Sequence, residues 1–179
     1  MIITISGKAG SGKSTVAKLL AKKLKLKHYS SGDFMRKIAE EHKITLAELN
    51  KRAEKEDWVD KELDSRQIKL GKEEDNFIID GRLSWHFIPQ SIKIYLDVTD
   101  KIAVERIWGD KEHRKSEGFE TFDDLIKKVK ERRESEIKRY KKYYKINHHD
   151  QENYNLVIDT SKTTAEKIAE EIIEYVKKK

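Results

Sequence analysis

The stretch "IITISGKAGSGKST", residues 2–15, decides the fold. Ile2 to Ser6 form a short, largely β-branched apolar run, and from Lys13 onward Val16, Leu19, Leu20 and Leu24 recur at helical spacing. A strand therefore feeds a helix through a loop containing Gly7, Gly10 and Gly12. Gly7, Gly12, Lys13 and Ser14 fit G-x-x-x-x-G-K-[ST] in the strand-then-helix setting that this motif requires. Such a loop lets the backbone N–H groups of Gly7, Lys8, Ala9, Gly10, Ser11, Gly12, Lys13, Ser14 and Thr15 converge on phosphate oxygens. The helix N-terminus adds its dipole, and the Lys13 ammonium reaches the β and γ phosphates of a nucleotide. Ser14 is the expected Mg²⁺ ligand.

Outward from this loop the chain alternates strands and helices. "FIID" (77–80), "IKIYLDV" (92–98) and "YNLVID" (154–159) read as strands, and "KHYS" (27–30) as a further short one, giving four or five. The spacing predicts helix throughout 33–72, near 100–108, over 121–146 and from about 164. There Thr163-Thr164-Ala165-Glu166 has the form of a capping box. The expected fold is α/β: a P-loop, mostly parallel sheet of about five strands covered by helices on both faces. Pro89 falls in a connection, where its missing donor does no harm.

At 179 residues the chain suits one compact domain, and the absence of Cys excludes a disulfide scaffold and fits a reducing cytoplasm. The opening "MIITIS" carries no basic leader, and no apolar run reaches membrane-spanning length, so neither a signal peptide nor a membrane partner is expected. Of the 39 basic residues 30 are Lys, and of the 33 acidic ones 20 are Glu, a bias that resembles heat-adapted surfaces. The net charge of +6 fits either an anionic partner or a lysine-rich solvated surface.

Two further segments narrow the chemistry. In "YSSGDFMRK" (29–37) Ser30 or Ser31 caps a helix that carries Arg36, and in "FIIDGRLSW" (77–85) a strand ends at Asp80 and is followed by Arg82. Ligands of parallel sheets bind beyond the carboxyl ends of the strands, so Asp80 and Arg82 should face the crevice of the phosphate loop, and two arginines there suggest a second anion. Arg106, Arg114, Arg132, Arg133 and Arg139 flank a polar stretch, 109–120, that reads as a lid bringing charge to a phosphoryl group; the helix "KKVKERRESEIKRYKKYY" reads equally well as a solvated face.

Across nearly its whole length the sequence resembles the nucleoside monophosphate kinases, and among them the short archaeal-type cytidylate kinases. The resemblance runs through "YSSGDFMRKIA", "FIIDGRLSW", "KIYLDVTDKIAVERI", "ERRESEIKRYKKYY" and "YNLVIDTS". It implies a core over about 1–30, 77–108 and 150–179, monophosphate-binding helices over 31–72 and a lid over 109–120. It also implies that Ser31, Asp33, Arg36, Asp80, Gly81 and Arg82 meet CMP, and that Arg132, Glu136 and Arg139, on one helical face, look toward the monophosphate and its base. Lys13, Arg106, Arg132 and Arg139 would serve transfer, and Asp33 or Asp80 would assist Ser14 with Mg²⁺ through water. Bacterial cytidylate kinases carry Asp at the Glu136 and Leu83 positions and a large insert absent here. The "SSGDFMR" segment also resembles the adenylate kinase "TGDMLR", although the Gly-Phe-Pro-Arg run of that family is missing.

The expected activity is Mg²⁺-dependent transfer from ATP to CMP and dCMP by a monomer. The rivals are adenylate kinase, or another small-molecule P-loop kinase, and a nucleotide-dependent nucleic-acid-binding protein. His148 and His149 read as a solvated loop rather than a metal site, and Trp58, Trp85, Trp108, Tyr143 and Tyr144 as packing residues rather than a stacking platform for nucleic acid.

Overall fold

The computed structural model describes residues 1–110 and 118–179; the middle of the expected lid, Arg114 included, lies outside the described residues. Five parallel strands, β1 (Ile2–Gly7), β2 (Lys27–Ser30), β3 (Phe77–Asp80), β4 (Ile92–Asp97) and β5 (Leu156–Asp159), form one sheet in the order β2-β3-β1-β4-β5. β1 is central and buried along its whole length, as expected of a strand covered on both faces.

Side-chain alternation divides the sheet. Ile3, Ile5, Ile78, Ile94 and Leu96 point toward α1 (Lys13–Leu24) and α8 (Ala165–Lys177), where Val16, Leu20, Ile168 and Ile172 complete the larger core. Phe77 and Ile79 point the other way, onto Leu70 of α4 (Trp58–Glu73) and onto Ile88 beyond the short α5 (Ser84–Phe87). The period of two thus sorts neighbouring residues of one strand into opposite cores.

The segment read as helical throughout 33–72 is instead three helices, α2 (Ser31–Glu41), α3 (Leu46–Ala53) and α4. Thr45 caps α3 by accepting from the Glu48 N–H at 3.1 Å, and Lys43 takes a left-handed φ of 55°. The breaks let Ile38, Leu49, Ala53 and Val59 converge on one small core, which a single rod could not build. Ser30, not Ser31, caps α2, accepting from the Gly32 N–H.

α6 (Asp100–Gly109) leaves β4, and α7 (Phe122–Tyr144) crosses back toward β5, burying Leu125, Glu136 and Tyr140 along its inner side. That burial corrects the reading of α7 as a wholly solvated face. The cap of α8 is Thr164, which accepts from Lys167; Glu166 falls one residue short of the position a capping box needs. Among the described residues no helix is long and apolar enough to cross a membrane.

Candidate active site

The phosphate loop owes its path to β1 and β4. A Cβ on Gly7 would lie 2.1 Å from the Leu96 carbonyl oxygen, and one on Gly10 would lie 2.5 Å from that of Ala103, so the loop presses against β4 and α6 where no side chain fits. Gly12, at φ 84°, turns the chain into α1 with no side-chain cap, which leaves the first N–H groups of the helix for a ligand. The Lys13 ammonium donates to the carbonyls of Gly7 (3.0 Å) and Lys8 (2.6 Å). Burial and the neighbouring Arg82 charge hold its pKa well below the usual lysine value. A lysine so desolvated gains more than a surface one from meeting a polyanion.

Asp80 ends β3 beside this loop. One carboxylate oxygen accepts from the Ser14 hydroxyl at 2.8 Å and the other lies 2.7 Å from His28 Nε2. Ser14 and Asp80 therefore offer adjacent oxygen donors at the head of α1, the donor chemistry that suits Mg²⁺. Asp33, the other expected carboxylate, is exposed and paired with Arg36 on α2.

Arg82 follows one residue later and is held from two sides. Its Nε donates to Glu136 at 2.7 Å and its Nη1 to the Gly7 carbonyl at 3.2 Å. Arg132 donates to the second Glu136 oxygen at 3.1 Å, so one buried carboxylate of α7 carries two guanidinium groups. Their positive field outweighs the penalty of burial and keeps Glu136 ionised far below the usual carboxylate range. Ser31, Arg36, Arg82, Arg132, Glu136 and Arg139 all border a cleft of about 940 Å³ between α2–α4 and α7.

Arg106 stands apart from this cleft group. Its guanidinium donates to the Thr160 hydroxyl (3.0 Å) and carbonyl (2.6 Å) and reaches the Gly10 carbonyl at 3.5 Å, tying α6 and the end of β5 to the phosphate loop.

Several groups at the site escaped the sequence reading. Asp60, buried in α4, faces Arg139 with Oδ2 3.4 Å from Nε, and neither atom has a hydrogen-bond partner. Burial raises the Asp60 pKa against the opposing pull of Arg139. Asp64, one turn on, accepts from the Tyr144 hydroxyl at 2.5 Å, and burial pushes its pKa up to about 6. Asp60, Asp64 and Gln67 follow at i, i+4 and i+7, the one available signal of a shared polar face. His148 and His149 contradict the solvated-loop reading. His148 is fully buried, the two ring centroids lie 4.0 Å apart at a tilt of 37°, and His149 Nδ1 lies 2.6 Å from the Tyr95 hydroxyl. The aromatic expectation holds for Trp85, packed among Leu83, Tyr95, Tyr140 and Tyr154, and for the partly buried Trp58, Trp108 and Tyr144, but not for Tyr143, which is exposed.

Comparison with known proteins identifies the family and the fold. A sequence model of the Cytidylate kinase-like family matches residues 2–162. The chain is 39% identical over 171 residues to "Cytidylate kinase" of Methanocaldococcus jannaschii, covering 93% of this chain and 92% of that one. It is 38% identical over 164 residues to that of Natronomonas pharaonis, covering 90% and 82%. Among solved structures, an uncharacterized protein from Eubacterium ventriosum superposes with a TM-score of 0.75 at 18% identity, over 100% of this chain and 99% of the other. A shikimate kinase from Bacteroides thetaiotaomicron gives 0.69 at 15%, over 99% and 98%, a likeness of fold alone. With a phosphate loop, a buried lysine and a basic second cleft on one parallel sheet, the chain belongs to the cytidylate kinase-like family and is a nucleoside monophosphate kinase, a phosphotransferase.

Proposed function

We propose that this kinase transfers the γ-phosphoryl group of ATP to the α-phosphate of CMP and dCMP, giving CDP or dCDP and ADP. Asp60 and Arg139 on the wall of the acceptor cleft carry the reading of the base. A cytosine edge presents an amino donor beside two acceptors, and a carboxylate accepting from N4 next to a guanidinium donating to N3 or O2 is its complement. Uracil reverses that pattern, setting a carbonyl against the carboxylate. The relatives named cytidylate kinases support the same substrate.

In this reading an oxygen of the CMP α-phosphate attacks the γ-phosphorus directly. The new P–O bond forms as the bond to the bridging oxygen breaks, and the electron pair leaves on the β-phosphate of ADP. Lys13 and the loop N–H groups hold the donor phosphates, those of Lys8 and Ser11 excepted because they donate to the Leu96 and Lys8 carbonyls, while Arg36 and Arg82 grip the acceptor phosphate and Arg132 neutralises charge on the moving group. Arg106 braces the phosphate loop rather than touching the acceptor. Ser14, with Asp80 behind it, is where Mg²⁺ would be held, and the ion would supply charge neutralisation on the β and γ oxygens. Asp33 serves the acceptor side through Arg36. Every group named lies on one chain, so a monomer suffices, working in the cytoplasm.

The test is ADP release from ATP and Mg²⁺ with CMP, dCMP, UMP, AMP, GMP or no acceptor, the diphosphate product being identified. Turnover confined to CMP and dCMP supports the assignment. Preference for AMP would replace it with adenylate kinase. ATP hydrolysis stimulated by polynucleotide and falling steeply with salt would replace it with a nucleic-acid-linked role.

A further inference from the structure

Beside the phosphate loop, Lys8, Arg82, Arg132, Arg133, Glu136 and His149 enclose a narrow space of about 10 Å³. Glu136 already carries Arg82 and Arg132, Asp100 carries Arg133 and Asp97 carries Lys8, so four cations face three carboxylates and the space retains a net positive charge suited to an anion. One wall of it is neutral. Burial, followed by the Arg82 charge, lowers the His149 pKa to about 4, leaving an uncharged imidazole at neutral pH.

One hydrogen bond bears on the tautomer of that imidazole. Burial pushes the Tyr95 hydroxyl above its ordinary pKa, so it keeps its proton, and it lies 2.6 Å from His149 Nδ1. A neutral ring that accepts at Nδ1 carries its hydrogen on Nε2. The tilted His148 ring, its centroid 4.0 Å away, and the perpendicular Tyr95 ring fix the plane of the imidazole. His149 Nε2 is itself buried and has no hydrogen-bond partner. An unpaired buried ring nitrogen on a residue lining a basic space calls for a polar partner, and with its hydrogen on Nε2 that partner is an oxygen.

We infer that His149 is a further catalytic residue, whose Nε2–H donates to a non-bridging oxygen of the phosphoryl group in flight. The inference rests on reading this as the phosphoryl-transfer site. The histidine proton stays on Nε2 throughout; the bond changes are those of direct transfer, and the N–H strengthens its hydrogen bond as charge spreads over the equatorial oxygens. A neutral donor adds this contact without a further full charge among four cations.

His149→Phe should lower kcat about 10²- to 10³-fold with the KM values for both nucleotides nearly unchanged, the range expected for one lost donor to developing charge. His149→Gln, which carries an N–H near the Nε2 position, should recover most of that loss. Retention of kcat within about twofold in His149→Phe, or equal damage from Gln and Phe, would overturn the inference. In the wild-type protein, imidazole ¹⁵N spectra should show a protonated His149 Nε2 whose signal moves when ADP, monophosphate and aluminium fluoride are added together. A deprotonated or unresponsive Nε2 would also overturn it, whatever the stability of the variants. Kinetics are read on whichever monophosphate the wild-type enzyme phosphorylates best, so an acceptor other than CMP would refute the proposed specificity and leave this test intact.

Discussion

Glu136→Ala is the substitution whose outcome the site geometry fixes most tightly. The carboxylate is nearly buried, as is Arg82, 2.7 Å away, whereas Arg132 is 55% exposed. Removing one partner of a buried pair strands the other charge at about 3–5 kcal/mol, and that figure belongs almost entirely to Arg82 because a half-exposed partner adds no more than about 1 kcal/mol. For a chain of this size each kcal/mol moves Tm by about 2–4 °C, so Tm should fall by about 6–20 °C. The measurement is calorimetric or fluorescence-monitored melting at pH 7 and again at lower pH. The folded-state pKa of Glu136 is depressed, so its stabilisation is complete above the ordinary glutamate value and is lost as pH falls below it. The gap between wild type and variant should narrow on acidification. The double variant Arg82→Met/Glu136→Leu should melt above Glu136→Ala, because it leaves no unpaired buried cation. A Tm within about 2 °C of wild type, or a gap that widens at low pH, would refute the pairing on which the acceptor site is built.

Lys13→Met should reduce turnover by at least about 10³-fold while melting normally, since its loss removes charge from the transferring group; appreciable residual kcat would contradict its role. Asp60→Asn should cut the CMP/UMP ratio of kcat/KM by about 5- to 100-fold, corresponding to about 1–3 kcal/mol of base discrimination, and an unchanged ratio in an acceptor panel would remove Asp60 from base reading. Gly10→Ala should disrupt nucleotide binding, measured by calorimetric titration, because its Cβ would meet the Ala103 carbonyl at 2.5 Å from a backbone already at φ 74°; normal ATP affinity would show that the loop can move away from α6.

What the sequence revealed and what it hid divide along a physical line. β1, the phosphate loop and the start of α1 were legible because each rests on contacts between near neighbours: an apolar β-branched run, glycines at turning points, a helical repeat. The strand ending at Asp80 was legible for the same reason. The break before α3 left a local trace too, in Thr45 and Glu48 at capping-box spacing, but the apolar periodicity on either side masked it. Thr163 and Thr164 are chemically equivalent caps, so only the folded backbone distinguished them.

The acceptor wall belongs to another class. Asp60 and Asp64 have the pattern of a solvated helix face until Arg139 and Tyr144, some 80 residues along the chain, are packed against them. His148 and His149 sit in a polar stretch with no apolar rhythm, and their burial comes from Tyr95 on β4 and Tyr140 on α7. No local pattern encodes contacts of that range.

The Ser6 hydroxyl, inside β1, lies 2.7 Å and 2.8 Å from the Gly81 and Arg82 carbonyls and donates between them, while Arg82 returns a bond to Gly7. The phosphate loop and the Gly81-Arg82 segment, the proposed donor and acceptor grips, are thereby stitched together at the ends of β1 and β3, and their separation is a property of the sheet. Asp60 and Asp64 of α4, which the proposed function turns toward the base, hang outside that stitching. The molecule is therefore modular in a useful sense: substitutions on α4 can re-address the enzyme to a different monophosphate while the spacing of the two reacting phosphates stays as the sheet built it.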